Sequence, residues 1–600
     1  MTRVITLDFE TYYADDYTLS KMTTEAYVRD PRFQALCMSV CYPSGQSETA
    51  KGKADIQRLL SHIGQDVICI AQHAHFDGLI LSHHFNWRPA LWIDTLSMAR
   101  QVLGPRRSHS LGAMAKTFGF EEKTVPYNLF KGRRLENLDT ATLDLLTQGC
   151  VQDCRLTEAI AKELLKSFPK AELPMVDMTV RMFTEPTLVG DTQMYRALQV
   201  EEWERKGQRL LDLGVTNAQL QSADAFVALL TEAGVEVEYK DGKHAPIPAI
   251  SKTDAFMRTL LDDPDDYISG LAEARLDVKS TISETRAGRL ADMSERGPLT
   301  VYLNYCGAHT TRWSGGDKVN FQNFPRGGNL RKAIVAPKGY KLAVVDLSQI
   351  ECRVLNHLAG QSDIVEAFAS GRDLYSEGAT RFYGRTITKA DKLERHLGKT
   401  LELGCGFGMG TSKFKVTCGR GALGGPRILL TDEEAFAAVS SYRNSHQHVV
   451  AYWKQAGFIL DRLQNPSTND VWGPFKVRNH KLILPNGGWI DYSGITWDDE
   501  ENNYKVPTRH GYTRIYGAKL VENVVQALSR VVMSDAMLRI RAKGLRIVTT
   551  THDEVVVLVP DTTDAEAVYK EIEADMVVTP SYLPGIPLAA EGGLYDRYEK

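Results

Sequence analysis

The feature that most constrains this chain is a pair of short acidic motifs that lie far apart, each at the end of an apolar, β-branched run. The motifs are Val344-Val345-Asp346-Leu347-Ser348-Gln349-Ile350-Glu351 and Thr550-Thr551-His552-Asp553-Glu554-Val555-Val556. Runs of this kind predict buried strands, so each motif delivers an aspartate to a strand end. Because neighbouring buried carboxylates are costly unless a cation neutralises them, the pair predicts an Mg²⁺ site of the kind that also holds substrate phosphates.

A basic helix is predicted between these motifs. Arg395, Lys399, Leu403 and Phe407 recur every fourth residue, which places them along one helical face. Cations at one end of this face suit phosphates, and the apolar end suits a base and sugar. An ordinary amphipathic helix with solvated basic ends is the alternative for this pattern alone. Combined with the two acidic motifs, the pattern indicates nucleotidyl transfer.

These motifs resemble those of family A DNA polymerases, the polymerase I type, and in particular the compact bacteriophage members. The stretch Asp346–Glu351 resembles motif A of that family, His552-Asp553-Glu554 resembles motif C, and the helix has the spacing of motif B. The resemblance implies that two Mg²⁺ ions bind Asp346, the Leu347 carbonyl and Asp553, and that Glu554 belongs to the catalytic set. It also implies that Glu351 excludes a ribose 2′-hydroxyl. The implied nucleotide-binding residues are Gln349, Glu351, Arg395, Lys399, Leu403, Phe407 and His552.

The predicted basic helix departs from the family at two positions. Leu403 stands where an aromatic residue is usual, and Phe407 stands where a tyrosine is usual. Nucleotide binding is expected to survive these two changes, whereas discrimination between sugars and between bases is expected to change. Glycines at 404, 406, 408 and 410 disfavour continuation of a helix. We therefore expect a break that lets this helix close over the nucleotide.

Further segments resemble the primer-template contacts of the same family. They are Thr311-Arg312-Trp313-Ser314, Asn320-Phe321-Gln322-Asn323-Phe324-Pro325 and Glu522-Asn523-Val524-Val525-Gln526-Ala527. The DNA-binding residues that the resemblance implies are Arg312, Gln322, Asn323, Arg331 and Gln526. Arginines in such positions would contact phosphates or minor-groove edges.

The N-terminal region carries a second set of acids. Asp8 and Glu10 follow a predicted strand and point to the same side of it, since side chains in a strand alternate. With Asp77, and with Asp153 at the predicted head of a helix, they resemble the motifs of proofreading 3′–5′ exonucleases. The resemblance implies that all four acids hold two divalent ions for phosphodiester hydrolysis. Asp94 is expected to open a helix of the same domain.

The segment around Asp153, which resembles the third motif of these exonucleases, lacks one functional side chain of that family. The family has a tyrosine four residues before the last acid, or a histidine five before it, to orient the attacking water. Here these positions are Gly149 and Gln148, and neither is a good general base or orienting group. His73 replaces a usual asparagine, and His75 is the neighbour that could compensate. We expect that the domain keeps its exonuclease activity and that this departure weakens it.

The predicted fold is multidomain, of α/β and α+β class: a ribonuclease H-like exonuclease domain followed by a right-hand polymerase with palm, fingers and thumb. Prolines after Phe168 mark the first boundary. The expected divisions are 1–168 exonuclease-like, 169–298 thumb and palm-flanking helices, 299–361 palm with motif A, 362–480 fingers with motif B, and 481–600 palm with motif C.

Charge, cysteine content and hydropathy exclude few functions, but they predict where in the cell the protein acts. The net charge of −4 argues neither for nor against binding of nucleic acid, because a basic cleft can lie in a protein whose overall charge is near zero. Nine scattered cysteines without paired metal spacing predict reduced, buried thiols. No apolar run reaches membrane-spanning length, and the start of the chain is too acidic for a signal peptide. The expectation is a cytoplasmic protein, in the bacterial host if phage-encoded, with no membrane partner.

Two alternatives to a DNA polymerase stay open at this point. One is a single-subunit RNA polymerase, against which Glu351 and the Asp553-Glu554 pair speak. The other is a catalytically inactive DNA-binding protein of the same fold, which retention of both palm aspartates disfavours. The expected partners of the polymerase are primer-template DNA, deoxynucleoside triphosphates and a replisome or processivity protein, with a monomer as the default. Because the chain opens directly on the exonuclease-like motif, a phage replicative enzyme is expected.

Overall fold

A computed structural model describes residues 3–121, 125–242, 244–421, 425–508 and 511–599 of the 600-residue chain. The folded chain is a mixed α/β multidomain protein, as the sequence predicts. Its hydrophobic interior is divided into several clusters of buried residues. One of them joins residues of the N-terminal region, such as Ile70 and Met98, to strand residues near the end of the chain, such as Val555.

The N-terminal region is built on a five-stranded sheet of order β3-β2-β1-β4-β5. Its strands are β1 (Arg3–Thr11), β2 (Ala35–Cys41), β3 (Ser47–Lys51), β4 (Val67–Ala71) and β5 (Leu91–Asp94). The first three pair antiparallel, whereas β1, β4 and β5 run parallel. The predicted strands at Val4–Leu7 and Val67–Ala71 are confirmed, and their apolar residues form the core of this domain.

Six helices belong to this region within the described residues. They are α1 (Thr24–Arg29), α2 (Gly52–Ile63), α3 (Ala74–Phe85), α4 (Thr95–Val102), α5 (Leu111–Phe118) and α6 (Thr140–Leu165). Asp94 caps α4 as predicted, with its carboxylate accepting a hydrogen bond from the backbone of Ser97 at 3.0 Å. The placement of Asp153 at the head of a helix was wrong, because α6 begins at Thr140 and Asp153 lies in its interior.

The next region is mostly helical. Its elements are α7 (Leu173–Thr184), β6 (Val189–Gly190), α8 (Thr192–Asp212), α9 (Asn217–Gln221), α10 (Ala223–Glu232), β7 (Tyr239–Lys240), β8 (Ile247–Pro248), α11 (Ala255–Leu261), α12 (Asp266–Lys279) and α13 (Ile282–Arg296). Helices α8 and α13 pack against each other, and the elements at their far end enclose a separate small core. The predicted loop at Lys240–Pro248 joins a short antiparallel pair, β7 and β8.

A four-stranded antiparallel sheet of order β20-β21-β12-β22 carries both acidic motifs. The elements that lead into motif A are β9 (Leu303–Asn304), β10 (Ser314–Gly315), α14 (Asn329–Lys332), β11 (Ile334–Val335), β12 (Tyr340–Leu347) and α15 (Ile350–Ala359). The edge strand β22 comes from the end of the chain, and it pairs with β12 from Leu342 to Leu347. Motif A therefore lies in the interior of the sheet, with a strand on each side.

Six helices follow α15 before the next strand in the described part of the chain, and several of them share an apolar cluster of their own. They are α16 (Ser362–Ala369), α17 (Leu374–Tyr383), α18 (Lys392–Thr400), α19 (Thr411–Gly419), α20 (Asp432–Ser445) and α21 (Gln447–Gln464). The predicted break is confirmed: α18 ends at Thr400, a π-helical turn covers Leu401–Cys405, and the chain turns before α19.

The chain returns to the acidic sheet through two small antiparallel sheets and a long helix. These elements are β13 (Asn469–Trp472), β14 (Phe475–Arg478), β15 (Lys481–Ile483), β16 (Trp489–Asp491), β17 (Thr496–Asp498), β18 (Asn503–Thr508), β19 (Gly511–Ile515), α22 (Gly517–Ala542), β20 (Arg546–Thr551), β21 (Glu554–Pro560), α23 (Ala565–Met576) and β22 (Ala590–Tyr595). The predicted division between 480 and 481 falls inside the sheet β13-β14-β15-β16, because these strands form one continuous meander. Among the described residues, no helix is long and apolar enough to cross a membrane.

Candidate active sites

The two palm aspartates meet at one end of the sheet. Asp346 is near the end of β12, and Asp553 lies in the tight turn between β20 and β21. The backbone N–H of Leu347 donates to the carbonyl oxygen of Asp553 at 2.9 Å, which ties the turn to β12. Two motifs separated along the sequence are therefore held together by main-chain pairing.

The electrostatics of this end of the sheet fit a divalent cation. Burial, together with the negative charge of Asp346, raises the pKa of Asp553 to about 6. Arg326 opposes that shift: its Nη2 lies 2.9 Å from Asp346 Oδ2 and 3.6 Å from Asp553 Oδ1. Hard carboxylate oxygens that repel each other and attract a cation are the donor set that Mg²⁺ prefers.

A cavity of about 820 Å³ opens beside the two aspartates. The predicted residues that line it are Arg312, Asp346, Gln349, Glu351, Arg395, Lys399, Leu403, Gln526, His552 and Asp553. Lining residues that sequence reasoning missed include Arg326, Arg372, Asp373, Tyr375, Lys389 and Arg530. The cavity thus has acids on the sheet side and cations on the helical side. Arg326 follows Pro325 directly, so an extension of the Asn320–Pro325 motif by one residue would have found it.

Glu351 projects from the first turn of α15 into this cavity. Its Oε1 accepts a hydrogen bond from Arg312 Nη1 at 2.8 Å. Burial raises the pKa of Glu351, and the nearby Arg312 opposes that shift. A carboxylate fixed at this position presents bulk and charge at the cavity wall.

The helical wall of the cavity is cationic. Arg395 on α18 binds Asp373, with Nε 2.7 Å from Oδ2 and Nη2 3.1 Å from Oδ1. Lys399 lies one turn further along α18, where burial and the charges of Arg326 and Arg395 lower its pKa. Leu403 lines the cavity from the π-helical turn. The placement of Phe407 on the same face was wrong: the chain turns after that π-helical segment, and Phe407 packs against the main hydrophobic core.

Three other predicted contacts are also corrected. Glu554 is fully buried and accepts hydrogen bonds from Arg331 at 3.4 Å and from Tyr598, so it supports the sheet from inside rather than lining the cavity. Arg331, predicted to bind DNA, is only 2% exposed because it pairs with this glutamate. Gln322 is buried too, whereas its neighbour Asn323 is exposed.

Strained backbone occurs beside three of the acidic motifs, those of Asp77, Asp346 and Asp553. Gln349, His552 and His73 have φ angles of 53°, 56° and 69°, in the left-handed region that non-glycine residues seldom adopt. Each lies next to a residue that faces a cavity with acids. Such strain persists only where the surrounding structure imposes it, which is typical of functional sites.

The N-terminal acids form a second cluster. Single carboxylate oxygens of Asp8, Glu10 and Asp153 all lie within 4.8 Å of one another. Asp77, on α3, is outside this set but lines the same cavity, whose volume is about 320 Å³. Burial, reinforced by neighbouring negative charges, raises the pKa values of Asp8 and Asp77. The cluster fits divalent cations for the same reason as the palm site does.

The histidines near these acids divide into two environments. His73 lines the cavity, and its Nε2 forms a hydrogen bond of 2.6 Å with the hydroxyl of Tyr302. His75 cannot compensate for Gly149 in this arrangement, since it is fully buried and stacks on the Tyr302 ring. Burial lowers the pKa of His75 to about 3 and keeps it neutral. A group that sequence reasoning missed is Tyr127, whose hydroxyl donates to Asp153 Oδ2 at 3.1 Å.

Comparisons with known proteins agree with the polymerase motifs. The model of DNA polymerase family A matches residues 195–459. The DNA polymerase of Bacillus phage SP02 is 24% identical, and the alignment covers 100% of both chains. DNA polymerase I of Synechocystis is 24% identical over 62% of this chain and 39% of that protein. A thermostable DNA polymerase I of Thermus thermophilus is 34% identical over 26% of this chain and 18% of that protein.

A solved structure extends the similarity to the fold. The polymerase domain of Pol1 from M. smegmatis, in complex with DNA primer-template and dNTP, superposes with a TM-score of 0.66 at 19% identity. The match covers 99% of this chain and 95% of that chain. At this identity the likeness establishes the architecture, a right-hand polymerase fold. By its motifs, its fold and the match over residues 195–459, the chain is similar to the proteins of DNA polymerase family A.

Proposed function

We propose that this protein is a DNA-dependent DNA polymerase that extends a primer 3′-hydroxyl with deoxynucleoside triphosphates. The observation that carries the proposal is the single cavity in which Asp346 and Asp553 face Arg395 and Lys399. Such a cavity brings the metal-binding acids of the sheet and the phosphate-binding cations of α18 to one substrate. The named relatives, a phage DNA polymerase and bacterial DNA polymerases I, support the same activity.

The residues of the chain divide the work in this proposal. Asp346, the Leu347 carbonyl and Asp553 would hold two Mg²⁺ ions, and these ions when bound would supply activation of the 3′-hydroxyl and charge stabilisation for the leaving pyrophosphate. Arg395 and Lys399 orient the triphosphate from the helical wall. Glu351 occupies the cavity wall where a 2′-hydroxyl would lie.

Primer extension with Mg²⁺ and four deoxynucleotides tests the proposal. The intact protein should lengthen a labelled primer, and Asp553→Ala should not. Asp561→Ala is a matched control, because this carboxylate is half-exposed just beyond the same strand and lies outside the cavity. Loss of activity in Asp553→Ala but not in the control assigns the chemistry to the palm site.

The same assay separates the alternatives. Extension with ribonucleotides at a rate similar to that with deoxynucleotides would favour an RNA polymerase. DNA binding without any change in primer length would favour an inactive protein of the same fold. Either result would overturn the proposal.

We also propose a 3′–5′ exonuclease in the N-terminal domain. The close approach of Asp8, Glu10 and Asp153, with Asp77 lining the same cavity, supports it. Carboxylates in this arrangement would hold two divalent ions, and these ions when bound would supply activation of water and charge stabilisation for the departing 3′-oxygen. The intact protein should degrade single-stranded DNA from its 3′ end, and Asp8→Ala should not. No degradation by the intact protein would overturn this part of the proposal.

The full-length similarity to a phage DNA polymerase supports a role in phage genome replication, with the bacterial cytoplasm as the place of action. We further propose that the protein is a monomer and that it binds a replisome or processivity partner. Sedimentation of the protein with and without primer-template DNA tests the monomer directly, since a dimer would double the sedimenting mass.

A further inference from the structure

Two lysines that line the polymerase cavity are left without partners. One is Lys399 on α18, and the other is Lys389, which lies in the turn before that helix begins. In the described part of the chain, no side-chain hydrogen bond or ion pair engages either ammonium group. Lys389 is also exposed to solvent. An unpaired ammonium group on the wall of a cavity is available to an anion.

The arginines on the same helical side of the cavity are already balanced by carboxylates. Arg395 Nε lies 2.7 Å from Asp373 Oδ2, and Arg372 Nε lies 2.7 Å from Glu377 Oε1. Each guanidinium also donates to the second oxygen of its carboxylate. On this side of the cavity, the positive charge that no carboxylate balances therefore lies on the two lysines.

Helix α18 separates the two lysines. Lys399 lies in its last turn, within electrostatic range of Arg326, which contacts Asp346. Lys389 lies beyond the opposite end, and the helix from Lys392 to Lys399 alone spans about 10 Å. The lysines therefore mark the two ends of one cavity wall, and the end with Lys399 is the one beside the palm acids.

Hydrogen bonds hold the turn that carries Lys389. The Asp391 carboxylate accepts from the backbone N–H of Thr388 at 2.8 Å and from the hydroxyl of the same residue at 2.9 Å. Ile387 is buried, and its backbone N–H donates to the hydroxyl of Thr380 on α17 at 2.9 Å. The backbone at Lys389 is thus fixed between α17 and α18, while its flexible side chain stays free.

We propose that Lys389 binds the inorganic pyrophosphate that nucleotide addition releases, so that this product passes from Lys399 outward along α18. The inference rests on the proposed polymerase function. In each addition, the primer 3′-oxygen bonds to the α-phosphorus of the nucleotide, and the bond from that phosphorus to the oxygen shared with the β-phosphorus breaks. Pyrophosphate leaves with that oxygen, and the proton of the 3′-hydroxyl passes to solvent.

The placement of the lysines favours the product over the substrate at Lys389. The triphosphate is anchored by its α-phosphate beside the palm acids, so its outer phosphates meet Lys399 first. Pyrophosphate loses that anchor once the bond breaks, and the next unpaired cation described on this wall is Lys389. A lysine suits a moving ligand, because its ammonium group is a point charge on a flexible stem, whereas arginine binds phosphate in a fixed, forked geometry.

Exchange of labelled pyrophosphate into deoxynucleoside triphosphates, with primer-template DNA present, tests the proposal. This exchange measures the reverse reaction, and the proposed exonuclease does not interfere because it releases monophosphates. Lys389→Ala should raise the KM for pyrophosphate by about 3- to 10-fold, a range set by the screening of an exposed charge. The KM for the deoxynucleotide in primer extension should change by less than about two-fold. Lys389→Arg keeps the charge and should stay close to the parent.

Lys392→Ala is the matched control. This lysine is exposed at the first position of the same helix but lies outside the cavity, so its removal changes the net charge by the same amount and leaves the wall unaltered. An equal loss of pyrophosphate affinity in Lys392→Ala would overturn the proposal, because the effect would then come from overall charge. Thermal unfolding should give the same Tm for both variants, since both side chains are exposed.

Two other results would also overturn the inference. An unchanged KM for pyrophosphate in Lys389→Ala would show that this lysine does not meet the product. An equal rise in the KM values for pyrophosphate and for the deoxynucleotide would make Lys389 a ligand of the triphosphate instead. In both cases the intact protein would still extend primers, whereas an absence of extension would overturn the proposed polymerase function itself.

Discussion

The guanidinium of Arg326 bridges the palm acids, with its Nη2 2.9 Å from Asp346 Oδ2 and within 3.6 Å of Asp553. Its side chain is 59% exposed, so it can turn toward a triphosphate once a divalent ion neutralises the carboxylates. Arg326 therefore lies between the carboxylates of the sheet and the part of the cavity where a triphosphate would bind.

Arg326→Ala should lower kcat/KM for nucleotide incorporation by roughly 10- to 100-fold, because a hydrogen bond between charged groups contributes about 1.5–3 kcal/mol. Arg326→Lys should recover part of the loss, since it keeps the charge but not the forked geometry. Steady-state extension by one nucleotide measures both variants. Arg385→Ala, which removes an exposed arginine paired with Asp391 and Glu394, should have no effect. Unchanged kcat/KM in Arg326→Ala would contradict the assignment.

Asp553 should make stability depend on pH in the absence of divalent ions. Its pKa is about 6 in the folded protein, against 3.8 as the ordinary value, so ionisation opposes folding and stability falls as pH rises through this window. Asp553→Asn should therefore be more stable than the parent by about 1–3 kcal/mol above pH 7, and equally stable near pH 4.

Thermal unfolding in EDTA across this pH range measures the effect of Asp553→Asn. Millimolar Mg²⁺ should then raise the Tm of the parent more than that of the variant, because the cation relieves the same repulsion. A difference in Tm that does not depend on pH would show that the substitution acts through packing rather than charge.

Glu351 should discriminate between sugars through its bulk. Glu351→Ala should raise the relative use of ribonucleotides by at least about ten-fold, since it opens the cavity wall. Glu351→Gln has nearly the same volume and should keep most of the discrimination. The ratio of kcat/KM for a ribonucleotide and its deoxynucleotide measures both. If Gln relaxes the ratio as much as Ala does, charge rather than bulk is responsible.

The buried pair Arg331–Glu554 should govern stability rather than DNA affinity. Glu554→Ala leaves a buried, unpaired guanidinium and should lower the free energy of unfolding by about 3–5 kcal/mol. Replacement of both residues, as Arg331→Met/Glu554→Leu, should restore much of that loss. Thermal unfolding compares the single and double variants. If Arg331→Met has normal stability but weakened DNA binding, Arg331 is a DNA-binding residue rather than a structural one.

The sequence was informative wherever a local period or a short motif carried the signal. The strand period placed Asp8 and Glu10 on one side of β1, and the spacing of Arg395 and Lys399 placed both on one cavity wall. The glycines after Leu403 predicted the end of the helix near the residue where it occurs. In each case the relevant partners lie within a few residues, so backbone geometry alone relates them.

Other features depended on how distant segments pack. The period of four failed at Phe407 because a π-helical segment and a turn replace the α-helical period after Thr400. Arg331 looked like a surface cation, yet folding places it on Glu554, in a strand more than two hundred residues away. A charged side chain gives no sign of burial in the sequence when its counter-charge lies so far along the chain.

The sequence by itself determined the resemblance to polymerase motifs, and it predicted the acids that each cavity brings together: Asp346 and Asp553 in one, and Asp8, Glu10, Asp77 and Asp153 in the other. Only the tertiary structure decided which cations reach those acids, which glutamate is structural, and that Tyr127 stands beside Asp153 where Gly149 leaves room. The reason is physical. Motifs record backbone-local chemistry, whereas burial and ion pairing depend on distances between segments that only the folded chain brings together.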